Sequence, residues 1–199
     1  MSTLSAGIAE AANFTTFTDR AAWEAAVGSF SEEDFNDFTE DTSFNGSSLD
    51  VGDFTLINDL FQIPTANFIN TSFTVIDGTP NVDVVAFPSS FSRVELNFDS
   101  PITAFGADFQ SVSEGNFTTQ FVIGSDTIDI PDTPLGFFGF VSDMSFSEML
   151  LEGPIVEGFV DRLRFDNVVY EQASTPEPVS VLGLLAFGAV GASSMLKRK

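Results

Sequence analysis

Carboxylates are the reactive side chains that this chain has in quantity, with 29 Asp and Glu but no His and no Cys. Before the last three residues it also has no Lys. This composition excludes Ser-His-Asp, Cys-His and Ser-Lys catalysis, and zinc sites built on His or Cys. Two kinds of chemistry remain: carboxylate acid–base catalysis, and the binding of hard cations such as Ca²⁺ by oxygen ligands.

Carboxylate catalysis of glycan cleavage needs two acids that face each other across a cleft, one of them with a raised pKa. Among 29 acids some pair can always be nominated, so the number of acids selects none of them. The sequence therefore indicates no catalytic residue, and we interpret the chain as a non-enzyme.

The chain is strongly acidic, with a net charge of −22 at pH 7. Before the last three residues the only cations are Arg20, Arg93, Arg162 and Arg164. Such a surface repels phosphate backbones, which excludes nucleic acid as a partner, and it attracts divalent cations.

The elements that must position these acids are mostly strands. Residues 93–98 alternate cleanly, with Val94, Leu96 and Phe98 facing inward. Turn sequences, among them Asp77-Gly78-Thr79-Pro80 and Ser100-Pro101, separate this run from others. The other runs with strand character are residues 54–57, 72–76, 82–87, 102–109, 117–123, 127–130, 137–141, 145–151 and 159–170. This spacing predicts an all-β fold, an antiparallel two-sheet sandwich over residues 13–170.

One short N-terminal helix is predicted over residues 18–27. Thr18 can cap its start, Trp23 lies on its apolar side, and Gly28 is placed to end it. Trp23 and most of the 24 Phe residues are therefore assigned to the core.

The two ends of the chain differ from the domain between them. Residues 1–12 contain Ala9-Glu10-Ala11, the small-x-small form of a signal-peptidase site, so we interpret them as the remnant of a signal peptide that starts upstream. A plain N-terminal end without such a role fits them equally well. Residues 171–178 form a polar linker that ends in Pro176-Glu177-Pro178.

The last residues have the pattern of a membrane span. Residues 179–196 carry no charge, and Lys197-Arg198-Lys199 follow them. Eighteen residues at ~1.5 Å each give a helix of roughly 27 Å, close to the ~30 Å hydrocarbon core of a bilayer. Residues 179–199 are therefore predicted to be a C-terminal transmembrane helix with a cytoplasmic basic tail, which places the domain outside. The alternative is a buried C-terminal helix of a soluble domain.

The order of these parts, a Pro-Glu-Pro tripeptide, an apolar span and a short basic end, resembles the PEP-CTERM sorting signal of Gram-negative bacteria. Pro176, Glu177 and Pro178 match its tripeptide, and Lys197, Arg198 and Lys199 match its basic end. The resemblance implies that an exosortase, a membrane-embedded Cys protease, cleaves near the tripeptide. The chain would be anchored in the inner membrane before processing and then reach the cell surface or the extracellular matrix.

Four segments of the domain resemble PEP-CTERM surface proteins with jelly-roll domains and, more loosely, carbohydrate-binding modules of that fold. They are residues 34–38, 102–109, 138–143 and 165–168. In such modules a calcium ion often joins an acidic early strand to an Asp of the last strand. The resemblance therefore implies calcium as a cofactor, with these metal ligands: Glu32, Asp34, Asp37 and Asp166.

The pattern around Asp166 adds a local reason for this assignment. Inward positions follow Leu163 and Phe165 and then shift to Val168 and Tyr170, so a bulge at Asp166-Asn167 would aim Asp166 at an ion. The alternative is that all of these acids are solvated surface residues.

Together these features favour an exported, non-catalytic domain that adheres to exopolysaccharide or to other surface proteins. Two alternatives stay open. One is a structural coat component without a specific ligand, and the other is a carboxylate-dependent glycan-active enzyme.

The sorting interpretation predicts that replacement of Pro176-Glu177-Pro178 by Ala-Ala-Ala leaves the full-length protein in the membrane fraction, because the protease no longer recognises its site. Fractionation followed by intact-mass measurement checks this. Released protein that still carries Lys199 would contradict the processing hypothesis.

Overall fold

The computed structural model describes residues 12–58, 67–72, 75–86, 92–111, 119–131, 136–153 and 161–174. These residues form one helix and twelve strands. In chain order they are β1 (Phe14–Phe17), α1 (Arg20–Val27), β2 (Ser31–Glu33), β3 (Thr42–Ser43), β4 (Ser47–Asp50), β5 (Phe54–Asn58), β6 (Asn67–Asn70), β7 (Asn81–Ala86), β8 (Arg93–Ser111), β9 (Thr119–Ile123), β10 (Asp126–Ile130), β11 (Gly136–Glu152) and β12 (Asp161–Gln172).

All of the strand pairs are antiparallel, so the predicted antiparallel all-β class with one N-terminal helix is confirmed. The strands hydrogen-bond in the order β10-β9-β11-β8-β12-β7-β6-β3. Outside this path, β1 pairs with β11, β2 with β12, β5 with β8, and β4 with β5. The sequence led us to expect two separate sheets, whereas the described strands form one continuous hydrogen-bonded sheet.

Two long strands account for this difference. Residues 93–98 and 102–109, expected as separate strands, belong to the 19-residue β8. Residues 137–141 and 145–151 likewise belong to the 17-residue β11. The turn expected at Ser100-Pro101 is wrong, since β8 continues through it at exposed positions. The Pro101 carbonyl accepts a hydrogen bond from Ala173 N at 2.8 Å, and a proline donates none in return.

One further strand expectation differs from the structure. Residues 72–76 were expected to form a strand, yet of their described part only Ile76 pairs, in an isolated bridge to Thr79. The strand lies a few residues earlier, at β6. Residues 73 and 74 lie outside the described part of the chain.

The cap of the helix lies one residue later than expected, and α1 begins at Arg20. The Asp19 side chain, not that of Thr18, accepts a hydrogen bond from Ala22 N at 2.8 Å and caps α1. Gly28 ends the helix with φ of 84°, a left-handed conformation that glycine adopts without strain. Trp23 is fully buried, as predicted, and its indole N–H donates to the Phe140 carbonyl at 3.2 Å.

The core explains the abundance of Phe. The main hydrophobic cluster includes these fully buried rings: Phe35, Phe44, Phe54, Phe105, Phe121, Phe140 and Phe165. A second, smaller cluster consists of Trp23, Ala104, Phe137 and Val169. Neighbours along a strand alternate between the two clusters, as Val168 and Val169 do. Because successive side chains point to opposite faces, the helix covers the face of the sheet opposite the main core.

A pair of glycines makes room for this helix. Gly106 in β8 lies directly across from Gly139 in β11. A Cβ on Gly106 would lie 2.5 Å from the Phe137 ring, and a Cβ on Gly139 would lie 2.8 Å from Trp23 Cδ1. Both glycines are therefore required for the close approach of these two rings to the sheet.

The expected membrane span cannot be assessed from these elements. Within the described ranges, no helix is both long and apolar enough to cross a membrane. The span predicted for residues 179–196 lies outside those ranges, as do residues 1–11.

Gly139→Ala is predicted to lower the free energy of unfolding by about 1–3 kcal/mol, because the new methyl group overpacks a filled site. It would lie 2.9 Å from the Phe105 carbonyl oxygen, which belongs to the sheet backbone and cannot rotate away. Thr15→Ala, at an exposed position of the neighbouring strand β1, is the control. Denaturant unfolding checks the difference, and equal stability of the two variants would contradict this account of the glycine pair.

Candidate functional site

The acidic early strand does lie beside the last strand, where the metal-site prediction needs it. β2 pairs with β12 so that Glu33 lies opposite Val168 and Glu32 opposite Val169. This register brings the backbone of the early acids within a few residues of Asp166.

The early acidic side chains, however, have partners of their own. Glu32 forms an ion pair with Arg20, which also contacts Glu24 at 3.0 Å. Asp34 accepts hydrogen bonds from the backbone and side-chain nitrogens of Asn36 at 3.1 and 2.8 Å. Asp37 is exposed.

Glu33 is the early acid with a perturbed environment. Its carboxylate accepts a hydrogen bond from Phe35 N at 2.8 Å. Burial raises the pKa of Glu33, and the charges of Asp34, Asp37 and Asp53 raise it further. These acids thus form a negative patch around β2, and Asp166 is not among the groups that shift Glu33.

The predicted bulge at Asp166-Asn167 is confirmed. In the ladder between β12 and β8, Asp166 lies opposite Asp108 and Val169 opposite Gly106, so β12 holds one extra residue between these pairs. Asn167 takes up the irregularity with a φ of 50°, in the left-handed region where Asn is tolerated. The bulge turns Asp166 into the protein, where its side chain is fully buried.

Two other acids surround Asp166 at the bulge. Asn167 Nδ2 donates to Asp108 Oδ2 at 2.9 Å and lies 3.4 Å from Asp77 Oδ2. Asp166 itself accepts from Asn167 N at 2.7 Å. The structure therefore joins Asp166 to Asp77 and Asp108, and not to the side chains of Glu32, Asp34 or Asp37.

The contacts of the Thr79 hydroxyl indicate that one of two carboxyl groups holds a proton. Thr79 Oγ1 lies 2.6 Å from Asp77 Oδ1, 2.7 Å from Asp166 Oδ2 and 3.1 Å from the Ile76 carbonyl. A hydroxyl can donate only one proton, so both short contacts to carboxyl oxygens are hydrogen bonds only if one of the two acids donates to Thr79.

Asp166 is the acid that fits this donor role. Burial raises the pKa of Asp166 to about 7, and the nearby charges of Asp77 and Asp108 add to the increase. Asp77, in contrast, is exposed. At mildly acidic pH the site therefore contains a neutral, buried Asp166 that donates to Thr79.

This arrangement fits the implied calcium ion poorly. Within the described residues, no group of three or more acidic side chains is close enough to hold a metal ion. Calcium needs six to eight oxygen ligands. Calcium binding stays a prediction, and the residues described here provide no formed site for it.

Sequence reasoning missed the actual neighbours of Asp166. Asp77 and Thr79 belong to a sequence that predicts only a turn between two strands. Asp108 is a partly exposed residue of the long strand β8. Their short polar side chains and the bulge were both visible in the sequence, but their proximity depends on the register of β12 against β8.

The few cations of the domain are largely used within it. Arg162 and Arg164 both contact the buried Asp83 at 3.5 Å, and Arg164 also donates to Gln110 at 3.0 Å. Arg20 forms ion pairs with Glu24 of α1 and Glu32 of β2, and it lies 3.8 Å from Asp108 of β8. Four arginines face a much larger number of acids in the domain, so it keeps a large excess of negative charge.

The residues of the sorting signal lie outside the described part of the chain. These residues are Pro176, Glu177, Pro178, Lys197, Arg198 and Lys199. The assignment of this signal stays a prediction.

Comparison with known proteins adds no family and no function to this description. No protein-family model matches the chain, and no curated protein matches it. Among solved structures it is similar to the catalytic domain of a GH87 α-1,3-glucanase, in complex with nigerose and, as a variant, with tetrasaccharides. Both matches have a TM-score of 0.36 and 13% identity, and cover 74% of this chain but 29% of the other. The chain spans less than a third of that structure, and a likeness this distant carries no argument about activity.

The buried Asp166 predicts a defined pH dependence of stability. Its pKa is raised from 3.8 to about 7 on folding, so the folded state binds the proton more tightly than the unfolded chain. The stabilisation from this proton is complete below about pH 4 and is lost as the pH rises to about 7. We expect the loss to be on the order of 2–4 kcal/mol.

Denaturant unfolding across this pH range, with Asp166→Asn, checks the assignment. The amide can still donate to Thr79 but does not titrate, so this part of the pH dependence should disappear. Asp129→Asn, at an exposed position of β10, is the matched control and should keep the wild-type profile. A wild-type profile in Asp166→Asn would show that another group is responsible.

Proposed function

We propose that this chain is an exported, exosortase-processed cell-surface or extracellular-matrix protein. Its β-domain is non-catalytic and adheres to exopolysaccharide or to other surface components. The observation that carries the proposal is the C-terminal order of Pro176-Glu177-Pro178, an uncharged span and Lys197-Arg198-Lys199. This order is typical of a signal that sorts a protein to the cell surface. A domain at the cell surface is surrounded by polysaccharide and by other surface proteins.

The domain is suited to such a location. Its last strand ends at Gln172, shortly before the tripeptide, so a cleavage there would release the whole sheet. For the finer fold we keep the proposal of a jelly-roll-like sandwich, in which the continuous antiparallel sheet folds over the main core. The partners in this scheme are exosortase and, transiently, the inner membrane.

Charge also bears on the ligand. With a net charge of −22, the domain repels acidic polymers unless divalent cations lie between them. Calcium enters the proposal in that role, as an ion held between the acidic surface of the domain and an acidic polymer.

Two other functions compete with adhesion. A structural coat component would bind no polysaccharide and would associate with itself. A carboxylate-dependent glycan-active enzyme would release reducing ends. The lack of His, Cys and Lys chemistry in residues 1–196 favours both non-enzymatic functions over the enzyme.

The adhesive function predicts that the purified full chain, in detergent, is retained on immobilised exopolysaccharide from the bacterium that produces it. No reducing sugar should be released. Parallel columns with calcium and with chelator test the role of the ion. If the protein is retained with calcium but not with chelator, the result would support a role for calcium in adhesion. If retention is the same on both columns, calcium would be removed from the proposal. Self-association without retention would favour the coat component, and reducing-end release abolished by replacement of two acids would overturn the non-enzyme assignment.

A further inference from the structure

An open groove of about 430 Å³ lies between the β9–β10 turn and the middle of β11. The lining side chains that matter to its chemistry are Ser125, Asp126, Ser142, Met144, Phe146 and Glu148. The volume lies within the range of about 300–1,000 Å³ that is usual for small-ligand clefts. The groove does not involve Asp166 or the acids of β2.

The groove exists because the β11–β8 ladder is interrupted. The register of β11 against β8 shifts on both sides of Phe146, between Val141 and Glu148. The Ser142 hydroxyl, which is buried, accepts a hydrogen bond from Met144 N at 3.1 Å and fixes the local bend. The displaced segment is thus ordered by its own hydrogen bonds while its side chains turn towards the β9–β10 turn.

Neighbouring residues hold both walls in place. Asn13 N and Nδ2 donate to the Asp143 carboxylate at 2.9 and 2.7 Å, and Asp143 N donates to the Asn13 carbonyl at 3.2 Å. On the other wall, Asp126 Oδ2 accepts from Ala12 N at 3.3 Å. The groove is therefore formed in advance, so a ligand would not have to order it.

The groove has an apolar part that solvent can reach. The Phe146 ring stacks on the buried Phe140, with centroids 5.9 Å apart and planes at 28°, and is only partly buried. Met144 is 48% exposed, and Phe30, which does not line the groove, is the other exposed large apolar side chain among the described residues. An exposed Met beside a fixed aromatic ring offers a surface for the apolar face of a ligand.

The polar part of the groove selects the charge of that ligand. Serine hydroxyls both donate and accept, and the Asp126 and Glu148 carboxylates accept hydrogen bonds. None of the lining residues is Lys or Arg, so a carboxylate, sulfate or phosphate on the ligand would be repelled by Asp126 and Glu148 and would find no cation to pair with. A ligand with many neutral hydroxyls and apolar C–H faces satisfies both parts of the surface.

We propose that this groove binds a segment of a neutral polysaccharide, with Met144 and Phe146 against the sugar C–H faces and Asp126 and Glu148 accepting from its hydroxyls. This assignment rests on the proposed adhesive function and adds a place and a ligand class to it. The carboxylates of Asp126 and Glu148 exclude an acidic polysaccharide from the groove.

The test uses the full chain and host exopolysaccharide separated by anion exchange into a neutral and an acidic fraction, each immobilised. Met144→Glu removes the exposed apolar contact, and Glu148→Gln removes a charged acceptor. We expect each to weaken binding to the neutral fraction about tenfold, Glu148→Gln through the loss of a charged hydrogen-bond acceptor and Met144→Glu through the loss of apolar contact area. Thr127→Glu, on the same hairpin but outside the groove, adds the same charge as Met144→Glu and should bind as the wild type does.

Thermal unfolding of every variant verifies that it is folded, and Glu148→Gln, which is exposed, keeps the test valid if Met144→Glu is unstable. If the wild type is retained on the neutral fraction and both groove variants bind equally well, the groove is not the binding site. The adhesive function would still stand. Retention on the acidic fraction alone would overturn the ligand class, and again adhesion stands. Retention on neither fraction would overturn adhesion and the groove together.

Discussion

The antiparallel ladder between β8 and β11 is the constraint on which the rest of the domain depends. β8 also pairs with β5 and β12, and β11 with β1 and β9, so most of the sheet attaches to these two strands. Strand alternation then does two things at once. It sends Phe105 and Phe140 into the main core, and it presents the Gly106–Gly139 pair to Trp23 and Phe137 on the other face. A shift of the ladder by one residue would exchange these faces.

Negative charge is the second constraint, and the domain meets it by two means. Arg20 pairs with Glu24 and Glu32, and Arg162 and Arg164 both contact the buried Asp83, so a cation lies beside some of the acids. Where an acid is fully buried without such a cation, as Asp166 is, the raised pKa lets it keep its proton near neutral pH. A neutral carboxyl avoids the large desolvation cost of a buried charge and supplies a hydrogen-bond donor to Thr79.

Features that depend on local sequence could be predicted. The alternation of Val94, Leu96 and Phe98, the burial of Trp23 and the bulge at Asp166-Asn167 each follow from a pattern within a few residues.

Features that depend on strand register could not be predicted from the sequence. They arise from how distant strands align, and they are the continuity of β8 through Pro101, the proximity of Asp77, Asp108 and Asp166, and the groove beside Phe146. The cap at Asp19 in place of Thr18 is a smaller case, since both residues can cap and the backbone entry angle decides.

The two candidate sites share one physical origin, because both lie where a ladder is interrupted. In β12 one extra residue turns Asp166 inward, against the Thr79 turn, and the outcome is a closed cluster that holds a proton. In β11 the shift around Phe146 turns side chains outward, and the outcome is an open groove with Met144 exposed. A regular ladder fixes every side chain to one of two faces, so a strand can aim a group elsewhere only by breaking the ladder. The outward break therefore offers a ligand polar and apolar groups that solvent can reach, whereas the hydrogen bonds of the inward break are already made within the protein.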